Sequence, residues 1–509
     1  MISTVRCAAL MGIDAFPVSL EVDFSRSGLP AFTMVGLPDG AVREAKERVY
    51  SALKNSGFKL PPARVTVNLA PADVRKEGSA YDLPMAVGLL TASGALNPEA
   101  VDGWYMAGEL SLGGHLSPVD GSLPLAVAAL REGARGLILP RSNAAEAAVV
   151  DGLPVIGVDD LGQAVRFLSG QEHLEPERVD IETLWAGRET FFEDFSEVKG
   201  QEHAKRAIEI AAAGAHNLLF IGPPGSGKTM LSQRIPTVLP PLDFDEALEV
   251  TKVYSVAGRM QGDRALMVTR PFRSPHHTIS DIGLIGGGRY PQPGEVSLAH
   301  RGVLFLDELP EFKKNALEVL RQPLEDGRVS ISRSLVSLSY PADFMLVAAM
   351  NPCPCGYMTD DQHPCSCSPL AVQRYRGKLS GPLLDRIDLH VDVPAVPYED
   401  LKRERGSVDS ATMRSRIMQA RDRQAERFKG LPVSVNAQLT GSALEEHCRL
   451  DATCHTFLEN AVKSLGLSAR AYTRILRIAR TVADLDGSEP IAVNHLAEAI
   501  NYRTLDRKE

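Results

Sequence analysis

The chain has 509 residues, 44% of them hydrophobic and 23% charged, with a formal net charge of −9. That length exceeds one hydrophobic core and points to about three domains. The acidic balance argues against a globally basic nucleic-acid binder but leaves room for a local basic channel.

No apolar run reaches the roughly 18 residues that a membrane span requires. The start, MISTVRCAALMGIDAFPV, has no clean apolar stretch ending in a small-residue cleavage site, and reads as mature protein. Seven cysteines is an odd count, and four of them fall between positions 353 and 367. This argues against a secreted disulfide framework and for a reducing, cytoplasmic compartment.

In chain order, residues 1–170 alternate short strand-like runs (VSLEVDF, RVTVNLA, GLILP) with Ala-rich helical stretches and form a first domain. Residues 171–193 are polar and acidic, lack both periods, and read as a linker. Residues 194–400 carry the buried runs NLLFIG, GVLFLDE and FMLVAAMN, which suit a parallel sheet covered on both faces. Residues 401–509 are helical throughout. The expected class is therefore α/β with a C-terminal α-helical lid.

The run Gly222, Pro223, Pro224, Gly225, Ser226, Gly227, Lys228, Thr229 matches G-x-x-x-x-G-K-[ST] between a strand and a helix. Its glycines allow backbone N–H groups to curl around the phosphates of ATP, with Lys228 on the β and γ phosphates and Thr229 on Mg2+. The strand GVLFLDE ends in Asp307 and Glu308, which would hold Mg2+ and polarise the attacking water. Asn351 closes the strand FMLVAAMN, either to orient that water or simply to turn the chain before Pro352.

The stretches Val198–Gln201, Arg273–His277, Pro293–His300, Asn351–Gly356, Ser380–Asp388 and Leu467–Ala471 make the sequence resemble the magnesium-chelatase-related branch of AAA+ ATPases. Within that branch it is most similar to the bacterial ComM/YifB family of competence-associated proteins. The resemblance implies that Asn351 is sensor 1, Arg386 an arginine finger offered to a neighbouring subunit, and Arg470 the sensor-2 arginine of the lid. Without the resemblance, Arg386 reads as an ordinary partner of Asp385 or Asp388, and Arg470 as a solvated helix charge. A finger in trans requires self-association, and the family implies a homohexameric ring. It further implies helicase or branch-migration work on branched or forked DNA, independent of sequence, in natural transformation. A chelatase-type, ATP-dependent protein remodeller is the alternative.

Cys353, Cys355, Cys365 and Cys367 suit a structural Zn2+, although C-x-C pairs are tighter than the usual spacing and four reduced buried thiols are the competing reading. The segment GRVSISRSLVSLSYPADF reads as a hairpin, and Arg328 and Arg333 on it, with Arg289 on a Gly-rich loop, are candidate DNA contacts. The first domain is similar to the proteolytic domain of Lon, which has a ribosomal-protein-S5-like fold. Ser79, however, has no base, because Leu123 stands where the lysine would fall. A non-proteolytic module is expected, with no membrane partner.

Overall fold

The computed structural model describes every residue except 28, 187–190, 261–263, 289–290, 333–336, 361–362, 398, 400–407, 504 and 506–509. It divides into two compact units. The first comprises Met1–Gly187 together with Phe244–Val268 and Ser332–Tyr340, and the second holds the rest.

The first unit is built on a seven-stranded sheet. Its strands are β1 (Ile2–Met11), β2 (Asp14–Ser25), β3 (Ala31–Val35), β4 (Arg64–Ala70), β5 (Trp104–Met106), β6 (Gly136–Pro140) and β7 (Val155–Val158), in the order β3-β4-β2-β1-β5-β6-β7. β1 and β2 form an antiparallel hairpin pairing Met11 with Asp14, whereas β5, β6 and β7 run parallel. The helix Asp82–Ser93 is buried along nearly its whole length. Gly88 permits this, since a Cβ there would lie 2.9 Å from a Val22 methyl. At its start the buried Asp82 takes two hydrogen bonds from Arg48, at 2.8 and 3.0 Å, and one from the Leu110 N–H at 3.1 Å.

The helix Phe244–Val256 also belongs to this unit, far from it in sequence. Its Ser255 hydroxyl donates to the buried Glu146 carboxylate, and Lys252 pairs with Asp14 at 3.0 Å. The Ser79 hydroxyl donates to Glu109, and Leu123 is fully buried. Lys76 turns away to the carbonyls of Pro71 and Val74.

In the second unit β8 (Leu218–Ile221), β9 (Phe272–Arg273), β10 (Val303–Leu306), β11 (Met345–Met350) and β12 (Leu389–Asp392) form one sheet in the order β9-β10-β11-β8-β12. All four pairings are parallel. β8, β10 and β11 are buried residue by residue, as their continuous apolar runs require. Helices Ser410–Arg427 and Ala469–Leu485 pack with Glu202–Gly214 in the same core. Their starts are capped by Asp409, which accepts from Thr412 N–H, and by Ser468, which accepts from Ala471 N–H. Among the described residues no helix is long and apolar enough to cross a membrane.

Two buried carboxylates tie this helical region down. Asp484 accepts from Arg427 at 2.8 Å and from the Asn436 amide at 2.8 Å. Asp388, just before β12, lies between His216 at 3.2 Å and Arg474 at 3.3 Å. Burial alone would push the Asp388 carboxyl up. The hydrogen bond and charge of His216, with Arg474 and Arg477, outweigh it and bring the group down to about 2. An unfolded aspartate titrates at about 3.9, so the depressed group stabilises the fold above that pH and loses its contribution as pH falls through its folded value. The contribution amounts to roughly 2–3 kcal/mol. Asp388→Asn should therefore flatten the loss of stability in urea between about pH 4 and about pH 2; the same slope as the parent would show that this carboxylate does not drive acid unfolding.

Candidate nucleotide site

The strand order decides which loops meet. β8 lies beside β11, with Ile221 opposite Met350, and β11 lies beside β10, with Leu306 opposite Ala348. Loops that leave the carboxyl ends of these strands therefore share one edge of the sheet, where open α/β sheets bind their ligands. Those loops carry Gly222–Thr229, Asp307–Glu308 and Asn351.

The Gly222–Gly227 loop turns tightly. Gly225 and Gly227 have φ of +76° and +92°, in the left-handed region that favours glycine. A Cβ on Gly222 would lie 2.0 Å from the Val393 carbonyl oxygen. The Gln201 amide braces the loop, donating to the carbonyls of Ser226 at 3.3 Å and Pro394 at 2.7 Å.

Lys228 folds back over the loop, donating to the carbonyls of Gly222 at 2.8 Å and Pro223 at 2.9 Å and to the Asn351 amide oxygen at 3.4 Å. Burial lowers the pKa of its ammonium, and the nearby Asp307 pulls the other way. The Thr229 hydroxyl donates to Asp307 at 2.8 Å. Glu308 has φ of +52°, uncommon for a residue with a side chain, and its N–H donates to the Asp307 carboxylate at 2.9 Å.

These residues fit a nucleotide with Mg2+. The Ser226 hydroxyl is buried with no hydrogen-bond partner among the described residues. The buried Lys228 ammonium rests on the loop's own carbonyls and the Asn351 amide oxygen, and a hydroxyl and a carboxylate offer paired hard oxygen donors. Phosphate oxygens would satisfy the first two, and a hard divalent cation the last.

Sequence reasoning missed one member. His277 Nδ1 lies 3.2 Å from the Glu308 carboxylate, with its ring edge-on to Phe312. The paired histidines of Arg273–His277 were the available signal. They had no assigned role because His277 reaches Glu308 only through the pairing of β9 with β10.

Arg386 and Arg470 do not join this cluster. Arg386 precedes β12, whose register sets Leu389 opposite Leu218, and its carbonyl accepts from the Asn217 amide at 2.8 Å. It therefore lies at the amino edge of the sheet. Its guanidinium contacts Glu325 and the Pro382 carbonyl. Arg470 pairs with Asp385 at 2.6 Å and so lies beside Arg386. Burial, then Arg321 and Arg470, lower the Arg386 pKa, and Glu318 acts the other way.

The four clustered cysteine sulfurs all lie within 4.8 Å of one another, just beyond Asn351. Arg328 is exposed on the strand Arg328–Ser332. Arg289 and Arg333 lie outside the described residues.

Two glycine substitutions separate the demands on the loop. Gly222→Ala meets backbone and should cost about 1–3 kcal/mol of stability along with nucleotide binding. Gly225→Ala meets open space but keeps a left-handed φ, so its cost should be limited to about 1–2 kcal/mol. Thermal denaturation with and without nucleotide would resolve the two; equal losses would show that Val393 yields to the added methyl.

Comparison with known proteins agrees with this geometry. Residues 194–401 match the family model described as magnesium chelatase, subunit ChlI. Residues 20–143 match subunit ChlI of Mg-chelatase, and residues 407–503 match the ChlI C-terminal model. The chain is 44% identical to the YifB protein of Escherichia coli (strain K12) over 99% of its own length and 98% of that protein. It is 45% identical to the competence protein ComM of Haemophilus influenzae, again over 99% and 98%. The magnesium-chelatase 38 kDa subunit of Rhodobacter capsulatus is 24% identical, over 59% of this chain and 84% of that subunit. Full-length identity at this level, with the three matched models, places the chain in the ComM/YifB family of magnesium-chelatase-like AAA+ ATPases.

Proposed function

We propose that this ATPase is a homohexameric ring motor that acts on branched or forked DNA, performing helicase or branch-migration work in natural transformation. The observation that carries the DNA reading is the 45% identity, along 99% of the chain, to a protein named for competence. Arg328, exposed on its strand, is a phosphate contact in this reading, as are Arg289 and Arg333.

The ring reading is supported by the position of the arginines. β8 has four residues, so at about 3.3 Å each the amino edge lies about 13 Å from the loop that follows the strand. Arg386 is therefore out of reach of its own subunit's γ-phosphate and suits a neighbour's. Arg470, held beside it by Asp385, is offered to the same neighbour.

Lys228 and the loop N–H groups bind the phosphates, Thr229 and Asp307 hold Mg2+, and Asn351 orients the attacking water. Glu308, once free of His277, polarises that water. ATP with Mg2+ supplies the electrophilic phosphorus and neutralises part of its charge. A protein-remodelling ATPase is the second reading, favoured by the match to the 38 kDa chelatase subunit.

Steady-state ATPase with and without a synthetic four-way junction, at low and physiological salt, separates the two. A DNA motor should be stimulated by the junction, with an affinity that falls steeply as salt rises; robust hydrolysis indifferent to DNA would favour remodelling of a protein. Lys228→Ala should lose nucleotide binding. Glu308→Gln should bind ATP and assemble, yet hydrolyse roughly 100-fold more slowly. Hydrolysis at the parent rate would remove Glu308 from its assigned role.

A further inference from the structure

The loop that follows β11 carries two features in one short stretch: the four clustered cysteines and a direct contact with the phosphate-binding loop. Cys353 Sγ lies 3.4 Å from Cys355 Sγ and 3.7 Å from Cys365 Sγ, and Cys355 and Cys365 are 3.6 Å apart. Four sulfurs at about 2.3 Å from a tetrahedral zinc stand about 3.8 Å apart. The observed edges are within a few tenths of an ångström of that figure and far longer than a disulfide bond. Backbone N–H groups of Tyr357 and Ser366 donate to Cys355 Sγ, and the Cys355 N–H donates to Cys367 Sγ at 3.4 Å. Such donors orient a ligating sulfur.

The same loop presses on the nucleotide site. Gly356, one residue past Cys355, has φ of +88°, and its N–H donates to the Cys353 carbonyl at 3.0 Å. A Cβ there would lie 2.6 Å from Pro224 Cδ, so only a bare backbone fits against that proline. Asn351, two residues before the buried Cys353, contacts Lys228.

We propose that Cys353, Cys355, Cys365 and Cys367 hold one zinc ion, and that this centre clamps Gly356 against Pro224 and thereby sets the phosphate-binding loop and Asn351 for nucleotide. The coupling rests on the ATP-site assignment of Gly222–Thr229, whereas the metal centre itself does not. Ions of zinc's size and softness suit four thiolates, while Mg2+ does not.

The test uses the full-length protein purified without chelators. Zinc is measured by mass spectrometry, and binding of a fluorescent ADP analogue by anisotropy. One zinc per chain is expected. Removing it with a zinc-selective chelator should weaken analogue binding about tenfold or more, and one equivalent of zinc should restore it. Cys365→Ser should lose the metal and show the same weakening. Gly356→Ala should keep the zinc yet bind the analogue more weakly, because the clamp is pushed off Pro224.

A chain that carries no zinc and takes up none on titration would overturn the centre. A zinc-free chain that binds the analogue as the parent does would overturn the clamp. If Cys365→Ser fails to fold, chelation and reloading of the parent decide the question. A zinc-loaded parent unable to bind the analogue would sink the ATP-site assignment and the clamp together, leaving the metal centre standing.

Discussion

Parallel pairing of β8 with β11, and of β11 with β10, is the constraint on which the rest of the second unit depends. Because all the strands point the same way, the residues that follow them emerge on one edge and those that precede them on the other. The Gly222–Thr229 loop, Asp307 and Asn351 thus gather without any long side chain having to reach. The same polarity sends Arg386, with Arg470 beside it, to the far edge.

On the nucleotide edge the polar groups are arranged for a guest. Lys228 lies against carbonyls that would not retain it once phosphate oxygens arrived. Glu308 sits on a strained backbone with its carboxylate turned to His277. A left-handed φ at a residue with a side chain costs about 1 kcal/mol or more, and such outliers collect where geometry serves chemistry. The sheet beneath is the rigid counterpart: β8, β10 and β11 are entirely buried, and the strained groups stand on their ends.

Much of this edge was legible in the sequence, because its chemistry is written in local runs. A glycine-rich octamer between a strand and a helix, and a buried strand ending in Asp307 and Glu308, carry their meaning within a few residues. The contact of His277 with Glu308 was not legible, since it depends on which strands become neighbours. Placement of the helix Phe244–Val256 was hidden for a related reason: an apolar face shows that a segment is buried, not against what. Cysteine spacing stated that four thiols were near one another, but not that Gly356 between them would touch Pro224. Arg386 and Arg470 were found through family likeness alone, and their edge of the sheet came from strand direction.

The first unit is assembled from pieces that are far apart along the chain. Its sheet is complete by Val158, yet Ser255 supplies a hydrogen bond to the buried Glu146, and Ser332–Tyr340 also belongs to it. During synthesis the sheet of this unit leaves the ribosome well before Ser255 is made, so the hydrogen bond to Glu146 forms late. Contacts of such high sequence separation slow folding. A cut near residue 190 would leave the amino-terminal piece without the hydroxyl that bonds its buried Glu146.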